Sequence, residues 1–235
     1  MAYIDRHDVA HAPPPPPPTG ARLREWEAIR TSPRTRLQRL PEHEIVFREG
    51  EPADRLYEIT DGAVMLYKLL ADGRRQVVEV LGRGDLFGLS AGDEHDCHAE
   101  TLVSSGLRII DRREAEGCIG GQQYIARCLR DRLAELRDHA VLLGRKSAFE
   151  RVATFLVRMV PRRGRAGCTG PAQVDTATVR IAMTRQEIAD YLGLTIETVS
   201  RIISDMRRRG VVVAERQDRL TIPDVCGLCR LSGRH

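Results

Sequence analysis

Glu197, Ser200 and Arg201 lie within the run Glu197-Thr198-Val199-Ser200-Arg201, and each carries a hydrogen-bonding group suited to the edge of a nucleobase. An arginine can donate two bonds to guanine O6 and N7, and a carboxylate can accept from cytosine N4. The Ser200 hydroxyl suits a neighbouring thymine or a phosphate. For these groups to meet bases they must occupy the first turns of a helix that enters the major groove. Arg207, Arg208 and Arg209 then close that helix with positive charge, which suits both its dipole and a phosphate backbone.

The elements needed to hold such a helix are written around it. Thr184 with Glu187 forms a Ser/Thr-x-x-Glu capping box, which predicts a helix start. Ile188, Ala189 and Leu192 give that first helix a buried face, and the small Ala189 lets a second helix cross closely. Gly193 permits a left-handed turn, Leu194 fills the angle and Thr195 caps the second helix. Val199, Ile202, Ile203 and Met206 recur at helical spacing on that helix. The spacing therefore predicts a helix-turn-helix over 184–210. Two exposed, merely solvated helices would not need the small residue, the glycine and the apolar register to agree.

Beyond this reader, phosphate contacts are expected from Thr184, Arg185, Thr195, Thr198, Arg207 and Arg208. The stretch VVVAERQDRLTI after Gly210 reads as a two-stranded wing with Arg216 and Arg219 at its tip, two further backbone contacts. Charge is distributed to match. The chain carries a net +4, but the part from Ser147 onward holds 15 arginines against nine acidic residues, a net of +6, while the rest is slightly acidic. A basic excess confined to one region is the footprint of a nucleic-acid partner. The preference for arginine over lysine, with only Lys68 and Lys146 in the latter class, reads as genome composition.

With 235 residues the chain is long enough for two ordinary domains. Residues 1–21 include six consecutive prolines, Pro13 to Pro18, and read as a disordered tail. Residues 22–116 show short apolar runs punctuated by glycine, which predicts an antiparallel β-roll of the jelly-roll kind. Asp72-Gly73 within it predicts a hairpin with a primed turn. In 117–146 the period changes. Ile125, Leu129, Leu133, Leu136, Ala140 and Leu143 follow one another at intervals of three or four, a seam for a dimerisation helix, with packing against the chain's own β-roll as the alternative. Residues 147–235 form the DNA-binding domain, opened by a second capping box, Ser147 with Glu150. The fold class expected is α+β.

This order of parts, β-roll, long helix and winged helix-turn-helix, resembles the Crp/Fnr superfamily of bacterial transcription regulators from about Leu37 to Ile222. The E-x-x-S-R pattern at Glu197–Arg201 is similar to the recognition sequence of its Fnr and FixK branch. The resemblance implies a cytoplasmic homodimer, not an enzyme, that reads a TTGA…TCAA palindrome, with Arg201 on guanine, Glu197 on the opposing cytosine and Ser200 on thymine. It also implies an activator of microaerobic, nitrogen-fixation or denitrification genes that meets RNA polymerase, the exposed hairpin 70–75 being an activating surface. The superfamily's cyclic-nucleotide binders carry Gly-Glu after the Phe of the roll and Arg-Ser further on. Here Phe87-Gly88 is followed by Leu89, and the later pair reads Ala99-Glu100. Without the arginine, and with a carboxylate facing the anion, cyclic nucleotide binding is not expected. The iron–sulfur cluster of Fnr needs N-terminal cysteines, and none precedes Cys97. That points to the FixK-like branch, with no cofactor and no metal.

His95, Asp96, Cys97 and His98 set two imidazoles and a thiol close together, so a haem- or ligand-gated regulator is the alternative, a plain loop being the simpler reading. A cupin-like enzyme would need a His-x-His with a following carboxylate, which His43, His95 and His98 do not form. Cys226-Gly-Leu-Cys229 has the spacing of half a zinc site or a redox pair, and Cys118, Cys128 and Cys168 complete the set of thiols expected to be reduced. No apolar run is long enough to span a bilayer, and no secretory signal is apparent.

Overall fold

A computed structural model describes residues 21–160, 175–216 and 219–233. The Pro-rich tail and Cys168 lie outside them. The chain divides into two compact units, and the boundary falls between Arg137 and Asp138, inside the long helix.

The first unit is built from α1 (Ala21–Arg30), β1 (Arg36–Leu40), β2 (Ile45–Phe47), β3 (Arg55–Asp61), β4 (Ala63–Leu69), β5 (Arg75–Gly82), β6 (Leu86–Phe87), β7 (His98–Thr101), β8 (Ser105–Asp111), the short α2 (Arg112–Glu116) and most of α3 (Ile119–Arg145). Its strands form two four-stranded antiparallel sheets, ordered β1-β8-β3-β6 and β2-β7-β4-β5. Phe47, Ile59, Val64, Leu66, Leu81, Phe87, Ala99 and Leu107 pack together as the core of the roll. The β4–β5 hairpin departs from the expected primed turn. Gly73 donates to the Leu70 carbonyl and alone has positive φ, while Leu70 and Arg74 close a three-residue loop, so the turn is type I followed by a left-handed glycine.

A second cluster joins Trp26 and Ile29 of α1 to Leu56, Leu86, Ile110, Ala115 and Ile125. Trp26 stacks on Tyr124 at 4.2 Å, and Arg30 grips the buried Glu58 with two bonds, of 2.9 and 3.0 Å, while Arg108 closes on the same carboxylate. Ile125 belongs to this intramolecular core, the packing on the chain's own β-roll that the sequence left open as the alternative. Further along α3, Arg132 is half-buried, donating to Glu79 at 2.9 Å and to the Leu86 carbonyl at 3.2 Å. Burial opposes the Arg132 charge, but Asp85 and Glu79 outweigh it and raise its pKa; burial also pushes Glu79 up.

The second unit begins with the last turns of α3, where Leu142 and His139 are buried. It continues through α4 (Ala148–Arg158), β9 (Ala177–Arg180), α5 (Arg185–Leu192), α6 (Ile196–Arg208), β10 (Val213–Arg216), β11 (Arg219–Ile222) and α7 (Val225–Leu231). The Ser147–Glu150 capping box predicted for α4 is present in both directions. α4 buries Val152, Ala153, Phe155, Leu156 and Val157, and it packs on α6 and α7. A three-stranded antiparallel sheet, ordered β10-β11-β9, lies beside these helices in the chain and supplies the two-stranded wing. No helix among the described residues is long and apolar enough to cross a membrane.

Candidate nucleic-acid interface

The first helix of the reader is fixed by its cap. The Glu187 amide donates to Thr184 Oγ1 at 3.2 Å, and the Thr184 amide donates to Glu187 Oε2 at 2.7 Å. Ile188, Ala189 and Leu192 are fully buried. Gly193 sits at φ 60°, ψ 44°, a left-handed conformation in which a β-carbon would be strained, and its amide bonds to the Ala189 carbonyl. Thr195 caps α6 by accepting from the Thr198 amide at 3.3 Å, and Val199, Ile202, Ile203 and Met206 are buried beneath it.

The opposite face of α6 is left to solvent, with Glu197 and Arg201 exposed and Ser200 half-buried. The Glu197 carboxyl is held below the usual range by hydrogen bonds from its own backbone amide and from the Thr195 hydroxyl, so it stays an acceptor. Ser204, a residue that sequence reasoning missed, completes the stripe, three residues beyond Arg201 and exposed. The i, i+4, i+7 spacing from Glu197 was the signal that points to it.

The expected phosphate contacts divide by what they already do. The Thr184 hydroxyl donates to Glu187 at 2.9 Å, and the Thr195 and Thr198 hydroxyls bond each other at 3.1 Å, so these three serve the caps first. Arg208 reaches Asp205 at 2.5 Å and Arg209 reaches it at 3.3 Å. Arg185 is partly buried, and that burial, followed by the charge of Arg207, lowers its pKa. Arg219 is exposed at the start of β11, opposite Arg216 in the wing register.

Arg151 of α4 is a residue that sequence reasoning missed. It donates to the Leu192 carbonyl at 2.9 Å and the Gly193 carbonyl at 3.3 Å, at the turn of the reader. It also donates to the Leu143 and Lys146 carbonyls, at 2.6 and 3.0 Å, where α3 ends. A cation thus satisfies the orphan carbonyls of two helix C-termini at once. Nothing local marks it, because its partners are about 40 residues away on one side and a helix turn away on the other.

The residues weighed as sensors are not gathered into a site. His95 stacks on Phe47 at 3.6 Å, and burial lowers its pKa. Cys97 packs on the core of the roll, where burial pushes its thiol up to about 12. His98 stacks on Tyr67 at 5.0 Å. Among the described residues these side chains form no ligand cluster. Ala99 is buried in the roll, and Glu100 faces His43 at 3.3 Å.

On α3 the middle of the predicted seam is uncovered: Leu129, Leu133 and Leu136 are 49%, 48% and 41% exposed, and Val141 joins them at 57%. Ala140 is exposed and Leu143 half-buried.

A β-roll continued through a long helix into a winged helix-turn-helix is the build of a DNA-binding transcription regulator. Residues 150–231 match the Crp-like helix-turn-helix domain, and residues 37–119 match the cyclic nucleotide-binding domain. The chain is 38% identical over 167 residues to the nitrogen fixation regulation protein FixK of Rhizobium meliloti, covering 71% of this chain and 73% of the relative. Identity to the transcriptional activatory protein AadR of Rhodopseudomonas palustris is 36% over 191 residues, 75% of each chain. The solved structure of FixK2 from Bradyrhizobium japonicum superposes with a TM-score of 0.72 at 36% identity, covering 84% of this chain and 96% of that one. The chain therefore belongs to the Crp/Fnr family of transcription regulators, in its FixK-like branch.

Proposed function

We propose that the protein is a homodimeric activator that reads a TTGA…TCAA palindrome, one α6 in each half-site, and meets RNA polymerase through the hairpin 70–75. The observation that carries this reading is the solvent face of α6, where Glu197, Ser200 and Arg201 stand together above a buried apolar register. The uncovered leucines of α3 supply a twofold surface, and a twofold protein suits a palindrome. AadR is described as an activatory protein and the FixK proteins as regulators of nitrogen fixation, which supports the direction of control and the class of genes. Ala99 and Glu100, at the positions where cyclic-nucleotide binders of the family carry Arg-Ser, support DNA binding without a cyclic nucleotide. The fold's use as a regulator leaves no role for catalysis, and the setting is the cytoplasm, where DNA is.

Footprinting on the palindrome tests it. Wild type is expected to protect both half-sites with no added ligand. Arg201→Ala should cost about 1–3 kcal/mol on the palindrome and relax selectivity at its guanine. Unchanged discrimination between guanine and adenine at that position would remove Arg201 from the reading.

A further inference from the structure

The pair Cys226 and Cys229 is a motif of the sequence that the reading of DNA leaves unused. Both thiols lie on α7, three residues apart and hence on neighbouring positions of one helical face, and both are partly exposed. They border a buried stripe formed by Val225 and Leu228. The other described thiols are differently placed. Cys97 and Cys128 are pushed up to about 12 and about 11 by burial, and Cys118 packs beside the Trp26 cluster.

We propose that Cys226 and Cys229 are a redox pair that closes to a disulfide with peroxide, and that closure loosens α7 from α4 and weakens DNA binding. One thiolate attacks the O–O bond of hydrogen peroxide, giving a sulfenic acid and hydroxide. The second thiolate then attacks that sulfur, forming the S–S bond and releasing hydroxide again. The two thiol protons neutralise the two hydroxides, so two thiols and one peroxide become one disulfide and two waters.

The coupling follows from helix geometry. Residues three apart in a helix hold their β-carbons about 5–6 Å apart, whereas a disulfide requires roughly 3.5–4.5 Å. Closing the bond therefore distorts α7 at the place where it is tethered. The Val225 amide bonds to the Asp175 carbonyl at 2.9 Å, and the Cys226 amide itself bonds to Asp175 Oδ2 at 2.8 Å. At the other end the Ser232 carbonyl accepts from Lys146 Nζ at 2.6 Å, and Lys146 also holds Thr154 of α4 at 2.8 Å. α4 in turn carries Arg151, which supports the turn of the reader.

The test treats the full-length protein with hydrogen peroxide, blocks remaining thiols, and reads the tryptic peptide 220–230 by mass. The expected result is a peptide lighter by two hydrogens and protected from alkylation, restored by dithiothreitol. Amide exchange in α7 and α4 should rise in the oxidised form, and affinity for the palindrome should fall roughly tenfold, reversibly. Cys226→Ser and Cys229→Ser should each abolish all three changes. A peptide that stays fully alkylatable, or a disulfide formed with unchanged exchange, overturns the proposal. So does zinc retained by wild type and lost from both variants. The affinity arm rests on the palindrome reading. If reduced protein does not bind the palindrome, that reading has failed, while mass and exchange still decide the pair.

Discussion

Arg151 shows how much one side chain can carry when its partners are carbonyls that have nowhere else to go. It donates to four of them, two at the end of α5 and its turn and two at the end of α3. Hydrogen bonds from a charged donor are worth about 1.5–3 kcal/mol each when lost singly, but they are not additive within one group. Arg151→Met should therefore cost about 2–3 kcal/mol in denaturant unfolding. Specific DNA binding should fall further than that loss alone explains, because the angle between α5 and α6 loses its brace. Recovery of specificity in Arg151→Lys alongside partial stability would mean that charge alone suffices. His139 is the opposite case, a buried ring stacked on Tyr191 at 4.4 Å with both nitrogens lacking a hydrogen-bond partner. Burial first, then the Arg158 charge, lowers its pKa to about 4. The unfolded chain, titrating near ~6.5, takes up a proton that the native state refuses. Stability is thus fully present above that value and falls as pH drops toward 4. His139→Phe keeps the stack and should flatten that slope, leaving a contribution of the same sign from His95. Unfolding curves for the two proteins that run parallel from pH 7 to 4 would refute the assignment.

Elements differ in how far they can be read before they are seen. The two capping boxes, Gly193 and the apolar register of α6 are all satisfied within a few residues of chain, and each is found where its spacing predicts. α1 was not read at all, because what makes it a helix worth keeping is distant: Trp26 meets Tyr124, and Arg30 meets Glu58. Ile125 shares the period of the leucines after it and yet faces inward. Its role is decided by which side of α3 the roll occupies, a side to which Arg132 is tied by Glu79 and the Leu86 carbonyl. Removing that guanidinium leaves Glu79 inside the roll without its counter-charge. Arg132→Met should destabilise the protein by about 3 kcal/mol, the usual scale for breaking a buried pair from one side. The double substitution Arg132→Met with Glu79→Gln should recover a large part of it. If the double variant is no better than the single one, the pair is not what anchors α3.

At the scale of the whole molecule, the exposed leucines of α3 belong with the solvent face of α6, which is proposed to read bases. A protomer presents one α6, which can contact only half a palindrome, and a half-site offers too few base contacts to stand out from non-specific binding. Two protomers joined along α3, as proposed, would bind both halves in one event, with the second contact made at high effective concentration. Leu129, Leu133 and Leu136 are each about half exposed, and covering that remaining surface contributes on the order of 1 kcal/mol per leucine on each side. Glutamate is as good a helix former as leucine, so Leu133→Glu leaves α3 helical while setting two carboxylates against each other across the twofold. The variant should keep its circular dichroism and its unfolding midpoint at low concentration and, on the proposed reading, sediment as a monomer where wild type sediments as a dimer. Its affinity for the palindrome should fall by at least about tenfold, while binding to a scrambled duplex, driven by phosphate contacts, changes little. A Leu133→Glu protein that remains dimeric would place the interface elsewhere on the chain. One that is monomeric but still reads the full palindrome would mean that α6 finds its half-sites without the help of α3.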